Sequence, residues 1–267
     1  MKAPDEWDAS TYHRLSDPQF AWGQKVLARL PLRGDETVID AGCGTGRLTA
    51  VLLERLPRGQ VIAVDASEQM IEQARVLLAP RFGPRLSFVN ADLLTLDLRD
   101  SADCIFSTAT FHWIKDHPAL FRRLHAALKP GGRLLAQCGG GPNLSRTLAR
   151  ASEILSEPEY EGNLEGWSET WEFADAETTE ARLRDAGFDH VHASLESETP
   201  VFPNARDYRQ FLATVIFRPH LRALPDQERR DRFLDRMTVL GAADDPPFSL
   251  DYWRLNFDAT RPRDGKR

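Results

Sequence analysis

The chain of 267 residues has only three cysteines, Cys43, Cys104 and Cys138. An odd number at wide spacing makes neither a disulfide framework nor a metal-ligand pattern, so no metal site is expected. Each lies in or beside an apolar run, the usual place of a small buried thiol. No apolar run approaches the roughly 18 residues of a membrane helix, and no membrane association is expected. The first residues, Met1-Lys2-Ala3-Pro4-Asp5-Glu6, are acidic and poor in apolar side chains, unlike a secretory leader; a cytoplasmic location is the expectation. Excess positive charge is also missing. The formal net charge is -6 and the pI is about 5.7, which argues against a broad phosphate-gripping surface and hence against nucleic acid as a partner. Lysine is scarce, since 29 of the 34 basic residues are arginine, a bias that points to a GC-rich bacterial gene. Internal repeats and low-complexity tracts are absent.

What remains is a globular composition, 42% hydrophobic and 28% charged, enough to bury one large core. The first half alternates two periodicities. Short apolar runs at Thr37-Val38-Ile39, Val61-Ile62-Ala63-Val64, Leu86-Ser87-Phe88-Val89, Cys104-Ile105-Phe106 and Leu134-Leu135-Ala136 read as strands. Between them, Leu48, Val51, Leu52 and Leu56, then Met70, Ile71, Ala74 and Leu77-Leu78, then Leu120, Phe121, Leu124 and Leu128 recur at helical spacing. Ser67 is an N-cap candidate, and Pro130-Gly131-Gly132 a helix stop. Strands alternating with helices predict an α/β fold with a parallel sheet covered on both faces. Further on, a helix is expected from Ala176 to Ala186, a sixth strand at Val191 to Leu195, amphipathic stripes through Tyr208–Ile216 and Phe233–Leu240, and a closing strand at Tyr252–Phe257. The expected organisation is an N-terminal helical cap (1–35), a core (36–140), an insert (141–172), a continuation of the core (173–202), a helical lid insert (203–247), a closing strand (248–260) and a basic tail (261–267).

The chemical signal is Asp40-Ala41-Gly42-Cys43-Gly44-Thr45-Gly46, where the first strand meets a helix. Glycines there allow a tight turn and let a ligand lie against bare backbone. A dinucleotide fold would place its last glycine at position 47, which is Arg47, and would aim a pyrophosphate at the loop. An acid two positions ahead of Gly42 repels a pyrophosphate; it suits loop ordering or an ammonium group. Asp65 ends the second strand, where a carboxylate accepts from ribose hydroxyls, with helix capping as the alternative. Asn90-Ala91-Asp92-Leu93 follows the third strand, and Asp92 is either an adenine partner or a solvated loop acid. Three acids at three successive strand ends mark the switch point of an open sheet, where ligands bind.

These residues, with Leu128-Lys129-Pro130-Gly131-Gly132, resemble the class I S-adenosylmethionine-dependent methyltransferases over about residues 36–140. Phe111-His112-Trp113-Ile114 with Asp116-His117, Trp7-Asp8, Tyr12, Trp171-x-Phe173 and Leu183-x-x-Ala186-Gly187-Phe188 resemble the trans-aconitate and juvenile-hormone-acid type of small-molecule O-methyltransferase. The resemblance implies a Rossmann-like, mostly parallel seven-stranded sheet with helices on both faces and helical lid inserts. It implies S-adenosyl-L-methionine as cofactor. Asp40 and the loop Gly42, Cys43, Gly44 and Gly46 would hold its methionine end and Asp65 its ribose. Ala91, Asp92 and Leu93 would flank the adenine, with Ala66 and Met70 packed on it. Ser107 and Thr108 would end the fourth strand beside the sulfonium, and Gln19 and Tyr12 would close over the methyl group.

The acceptor is expected to be a small molecule, and the protein a monomer or homodimer. Methyl transfer from a sulfonium needs alignment and exclusion of water more than chemical assistance. A carboxylate acceptor is already ionised at pH 7, whereas a phenol or amine wants a base. His112 is the candidate, as base or as positioning residue, and no second residue is in evidence to orient it. Trp113 is expected to wall the acceptor pocket, and Arg146, Arg209 and Arg218 are candidates to pair an acceptor carboxylate. O-methylation of a carboxylic acid to its methyl ester is the leading expectation. The alternatives are methylation of a phenol, amine or carbon, and a non-catalytic module that only binds the cofactor. The Asn-Pro-Pro-aromatic tetrad of base and amide N-methylation is absent.

Overall fold

The computed structural model describes residues 17–160 and 171–263, with backbone alone at 17–19. Trp7, Asp8, Tyr12 and the end of the basic tail lie outside the described residues. The strands are β1 (Thr37–Ala41), β2 (Gln60–Asp65), β3 (Leu86–Asn90), β4 (Ala102–Thr108), β5 (Leu128–Gly139), β6 (Asp189–Glu198) and β7 (Tyr252–Thr260). The helices are α1 (Asp17–Ala28), α2 (Arg47–Arg55), α3 (Glu68–Phe82), α4 (His117–Ala127), α5 (Ser145–Leu155), α6 (Ala176–Asp185), α7 (Ala205–Phe211), α8 (Arg218–Ala223) and α9 (Gln227–Ala242). The strands make one mixed, mostly parallel sheet of seven in the order β3-β2-β1-β4-β5-β7-β6. The pairs β3–β2, β2–β1, β1–β4 and β4–β5 are parallel. The order turns back beside β1, so the loops after β1 and β4 diverge and leave a crevice at the strand ends.

The chain divides into two compact units. The first comprises Met1–Gly141, Glu172–Glu196 and Leu255–Arg267. Its central strands β1 and β4 are buried on both faces because helices cover both. Val38, Cys104, Phe106 and Leu135 share one buried cluster with Leu27, Leu52, Leu53, Ile71 and Leu78 of α1, α2 and α3. The alternate residues Ile39, Ile105, Leu134 and Ala136 pack with Phe121 and Leu124 of α4 and Leu183 of α6. All three cysteines are free and buried. Ser67 caps α3 by accepting from the Met70 N–H at 3.3 Å. The buried stripe of α3 is Met70, Ile71, Ala74, Leu78 and Phe82, while Leu77 is exposed.

Lys129-Pro130-Gly131-Gly132 does stop α4, but it lies within β5. Ala102 pairs with Leu128 and Cys104 with Arg133, so the extra residues bulge out of register. Gly132 permits this, since a Cβ there would stand 2.8 Å from the Lys129 carbonyl.

The second unit comprises Pro142–Trp171 and Ser197–Arg254 and contains α5, α7, α8 and α9. A wide helical turn over Leu212–Ile216 joins α7 to the segment before α8. Tyr208, Phe211, Phe217, Phe233 and Met237 are its buried core, with the Phe217 and Phe233 rings edge to face at 5.1 Å. The Arg150 guanidinium grips Asp244 through two bonds of 3.0 and 2.8 Å.

Candidate active site

Local backbone chemistry builds the first part of the site. Gly42 and Cys43 both donate N–H to the Val64 carbonyl, at 2.8 and 3.0 Å, which ties the loop after β1 to the end of β2. Gly42 has φ +83, and a Cβ there would stand 2.1 Å from Thr110 Oγ1. Glycine is required because the β4 loop lies against it. Gly44, at φ +53, faces open space. Gly46, at φ +84, opens α2; a Cβ there would meet Leu78 at 2.5 Å. The close-packing glycine of this loop is therefore Gly46, one residue earlier than a dinucleotide loop would set it. The Arg47 guanidinium stacks 4.2 Å from the Phe20 ring of α1, a cation–π contact.

Asp65 is the hub of the strand ends. Its carboxylate accepts from the Gly44 N–H at 2.9 Å and from the Ser67 N–H at 2.9 Å. Its carbonyl accepts from the Ala91 N–H at 3.0 Å and from the Asn90 side-chain amide at 3.0 Å. Asn90 also donates to the Ala66 carbonyl at 3.1 Å. The loops after β1, β2 and β3 are thus stitched together. Asn90's stitching role escaped the sequence reading, although an amide side chain directly after a strand was the available signal. Asp40 is 3% exposed and accepts from the Thr49 hydroxyl at 2.6 Å. Burial, reinforced by the nearby Asp65 charge and opposed by Thr49, raises its carboxyl to about 7. Asp92 is exposed and accepts from the Leu94 N–H at 2.9 Å, while Leu93 and Met70 are buried and Ala66 is exposed.

Ser107 is buried, and its hydroxyl donates to the Ala41 carbonyl at 2.6 Å, a bond that ties β4 to β1. Thr108 is half-buried, and its carbonyl accepts from Thr110 Oγ1 at 3.0 Å. Gln19 lies on α1 and its side chain is outside the described residues. The expected acceptor arginines are largely engaged within the second unit. Arg146 bonds the Ser249 carbonyl at 3.1 Å and pairs with Asp244 at 3.4 Å. Arg209 donates to Asp231 and Asp235 at 2.7 and 2.8 Å, bracing α7 on α9. Arg218 opens α8 and is half-buried.

His112 and Trp113 lie on a single helical turn, Phe111–Trp113, after β4. Phe111 anchors it in the core, edge to face with Phe121 at 6.5 Å. The His112 ring lies 5.3 Å from the Trp113 ring and 5.9 Å from the Phe173 ring. His112 is oriented after all, contrary to the expectation: the Gly139 N–H, at the end of β5, donates to its Nδ1 at 3.2 Å. A backbone N–H only donates, so Nδ1 is an acceptor, and the neutral ring carries its proton on Nε2. No helix among the described residues is long and apolar enough to cross a membrane.

A methyltransferase-domain family matches residues 38–132. The chain is 31% identical over 246 residues to a trans-aconitate 2-methyltransferase of Methylobacterium radiotolerans, covering 87% of this chain and 88% of that protein. Among solved structures, a putative methyltransferase from Bacillus halodurans superposes with TM-score 0.62 at 14% identity, covering 91% of this chain and 99% of that one. Phosphoethanolamine N-methyltransferase 2 of Haemonchus contortus, solved with S-adenosylhomocysteine, gives 0.61 at 21% identity, covering 96% of this chain and 57% of that one. The chain belongs to the class I S-adenosylmethionine-dependent methyltransferases. It is an enzyme of that class, and S-adenosylmethionine is its cofactor.

Proposed function

We propose that the protein methylates a carboxylate oxygen of a small organic acid, giving a methyl ester. The carrying observation is the state of His112. Its Nδ1 lone pair is engaged by the Gly139 N–H, so the neutral ring offers a proton at Nε2 and no lone pair there to act as base. Such a site suits an acceptor that arrives ionised, as carboxylates do near neutral pH. The 31% identity to a protein named for trans-aconitate, a carboxylic acid, supports the same reading.

The strand-end residues fit the cofactor. A side chain at Gly44 would project into the open space over the loop, and the Asp65 carboxylate lies beside it. Asp40 and Gly42–Gly46 would hold the methionine end, Asp65 the ribose, and Asp92 and Leu93 the adenine edge, with Met70 and Ala66 against its face. When bound, S-adenosylmethionine would supply the electrophilic methyl group, its sulfur leaving as a neutral thioether. His112 would donate from Nε2 to the acceptor carboxylate, and Trp113 and Phe173 would exclude water around it. An ionised carboxylate has about four acceptor positions, so holding the loop is compatible with ribose binding at Asp65.

A panel of carboxylic acids, phenols and amines with labelled cofactor tests the reading. Methyl esters are expected, at a rate nearly flat from pH 6.5 to about 9 because carboxylates stay ionised throughout. Replacing His112→Ala is expected to cost about 10-fold, against the roughly 10²–10⁴-fold of a lost base. Aryl ethers or N-methyl products with a steeply rising pH profile would overturn it.

A further inference from the structure

The turn that carries His112 is held through both of its first two carbonyls. His117, the first residue of α4, is 1% exposed, and its Nε2 lies 3.1 Å from the Phe111 carbonyl. Its Nδ1 lies 3.1 Å from the Arg182 guanidinium of α6. Arg182 also donates to the Glu172 carboxylate at 2.9 Å, and the Glu172 N–H donates to the His112 carbonyl at 2.8 Å. The circuit Phe111–His117–Arg182–Glu172–His112 is closed.

The partners dictate the protonation state of His117. A carbonyl only accepts, so Nε2 carries hydrogen; a guanidinium only donates, so Nδ1 is a lone pair. His117 must be neutral for the circuit to exist. Protonation would set an N–H against Arg182, and would add a cation at a helix N-terminus, where the helix dipole disfavours it. The charged groups facing the ring are Arg182 and Glu172, with its own neighbour Asp116. Burial, the largest influence, holds the ring below its ordinary value, and the Arg182 charge acts the same way.

We propose that His117, Arg182 and Glu172 are positioning residues that lock the 111–113 turn with His112 as a fixed Nε2–H donor, and that acid releases the lock by protonating His117. The proposal rests on the reading that His112 meets the acceptor. It also gives a physical task to the segment around Trp171-Glu172-Phe173, whose Phe173 packs on the His112 ring. The lock is closed at neutral pH, and because burial holds the His117 ring below its ordinary value, it opens only on the acid side of the ordinary histidine range.

Nitrogen-15 spectra of the histidines in the cofactor-free protein test this without any acceptor. Expected are the Nε2–H form at both His112 and His117, and His112 signals that shift with the His117 titration, below about pH 6.5. His117→Gln supplies the same donor and acceptor without titrating, so the linked shift should vanish. With a working acceptor, His117→Gln should keep the rate within about threefold and lose the acid limb of kcat, while His117→Ala should lose about 10-fold with S-adenosylhomocysteine affinity unchanged. His112 carrying its proton on Nδ1, or a His112 titration that persists in His117→Gln, overturns the proposal. Linked spectra beside a silent His112→Ala variant uphold the lock and sink only the role given to His112.

Discussion

The loops after β1, β2 and β3 and the turn after β4 are both held firmly, but by different means. The loops are stitched by backbone groups and by Asp65 and Asn90, residues at the very ends of the strands that place them. The turn is held by partners distant in sequence, Gly139, Glu172 and Arg182. The loops brace one another across neighbouring strand ends, 21 to 25 residues apart, whereas the turn draws on partners 27 to 65 residues away in the assembled core.

The largest expected effect breaks the contact between the two regions. Gly42→Ala would force a side chain into left-handed backbone and onto Thr110, and should destabilise the fold by about 2–4 kcal/mol, read by denaturant unfolding. Next, Asp65→Ala should weaken S-adenosylhomocysteine by about 1.5–3 kcal/mol, roughly 10–150-fold by calorimetry, because it removes a charged acceptor and unpicks the loop. An unchanged affinity would reduce Asp65 to a turn residue.

Asp40 sharpens the comparison through pH. Its carboxyl is raised to about 7, so the folded chain holds this proton more tightly than the unfolded chain does. Its contribution to folding is present at low pH, and is lost as pH rises from about 4 to about 7. Cofactor binding that uses the ionised form should weaken by up to about tenfold between pH 8 and 6, a slope that Asp40→Asn should remove. Affinities with identical pH dependence in the two proteins would dismiss Asp40 as an ammonium partner. The smallest effect is expected in the second unit. Arg209→Ala breaks exposed ion pairs with Asp231 and Asp235, worth about 0–1 kcal/mol, and should leave the acceptor KM within about twofold.

The strand ends were legible because a buried parallel strand, a glycine turn and an acid form one contiguous string. Asp40, Asp65 and the Ser67 cap could be named from order alone. The packing of Gly46 was not legible, since its close neighbour Leu78 belongs to another helix. The arginines were illegible, because Arg146, Arg150 and Arg209 look alike in sequence, and only folding brings Asp244 to the first two and Asp231 and Asp235 to the third.

The sequence by itself determined the alternation of strands and helices and the order of glycines and acids at the strand ends, because periodicity and residue order are read within a few residues. Only the tertiary structure decided which way the His112 ring faces and which of its nitrogens holds the proton. Hydrogen-bond direction there is set by a backbone N–H from another strand, and the turn beneath it by a neutral His117 whose partners arrive from α6 and the segment before it. A side chain's chemistry is written in the chain, but its protonation and aim are fixed by donors and acceptors that meet only when the core closes.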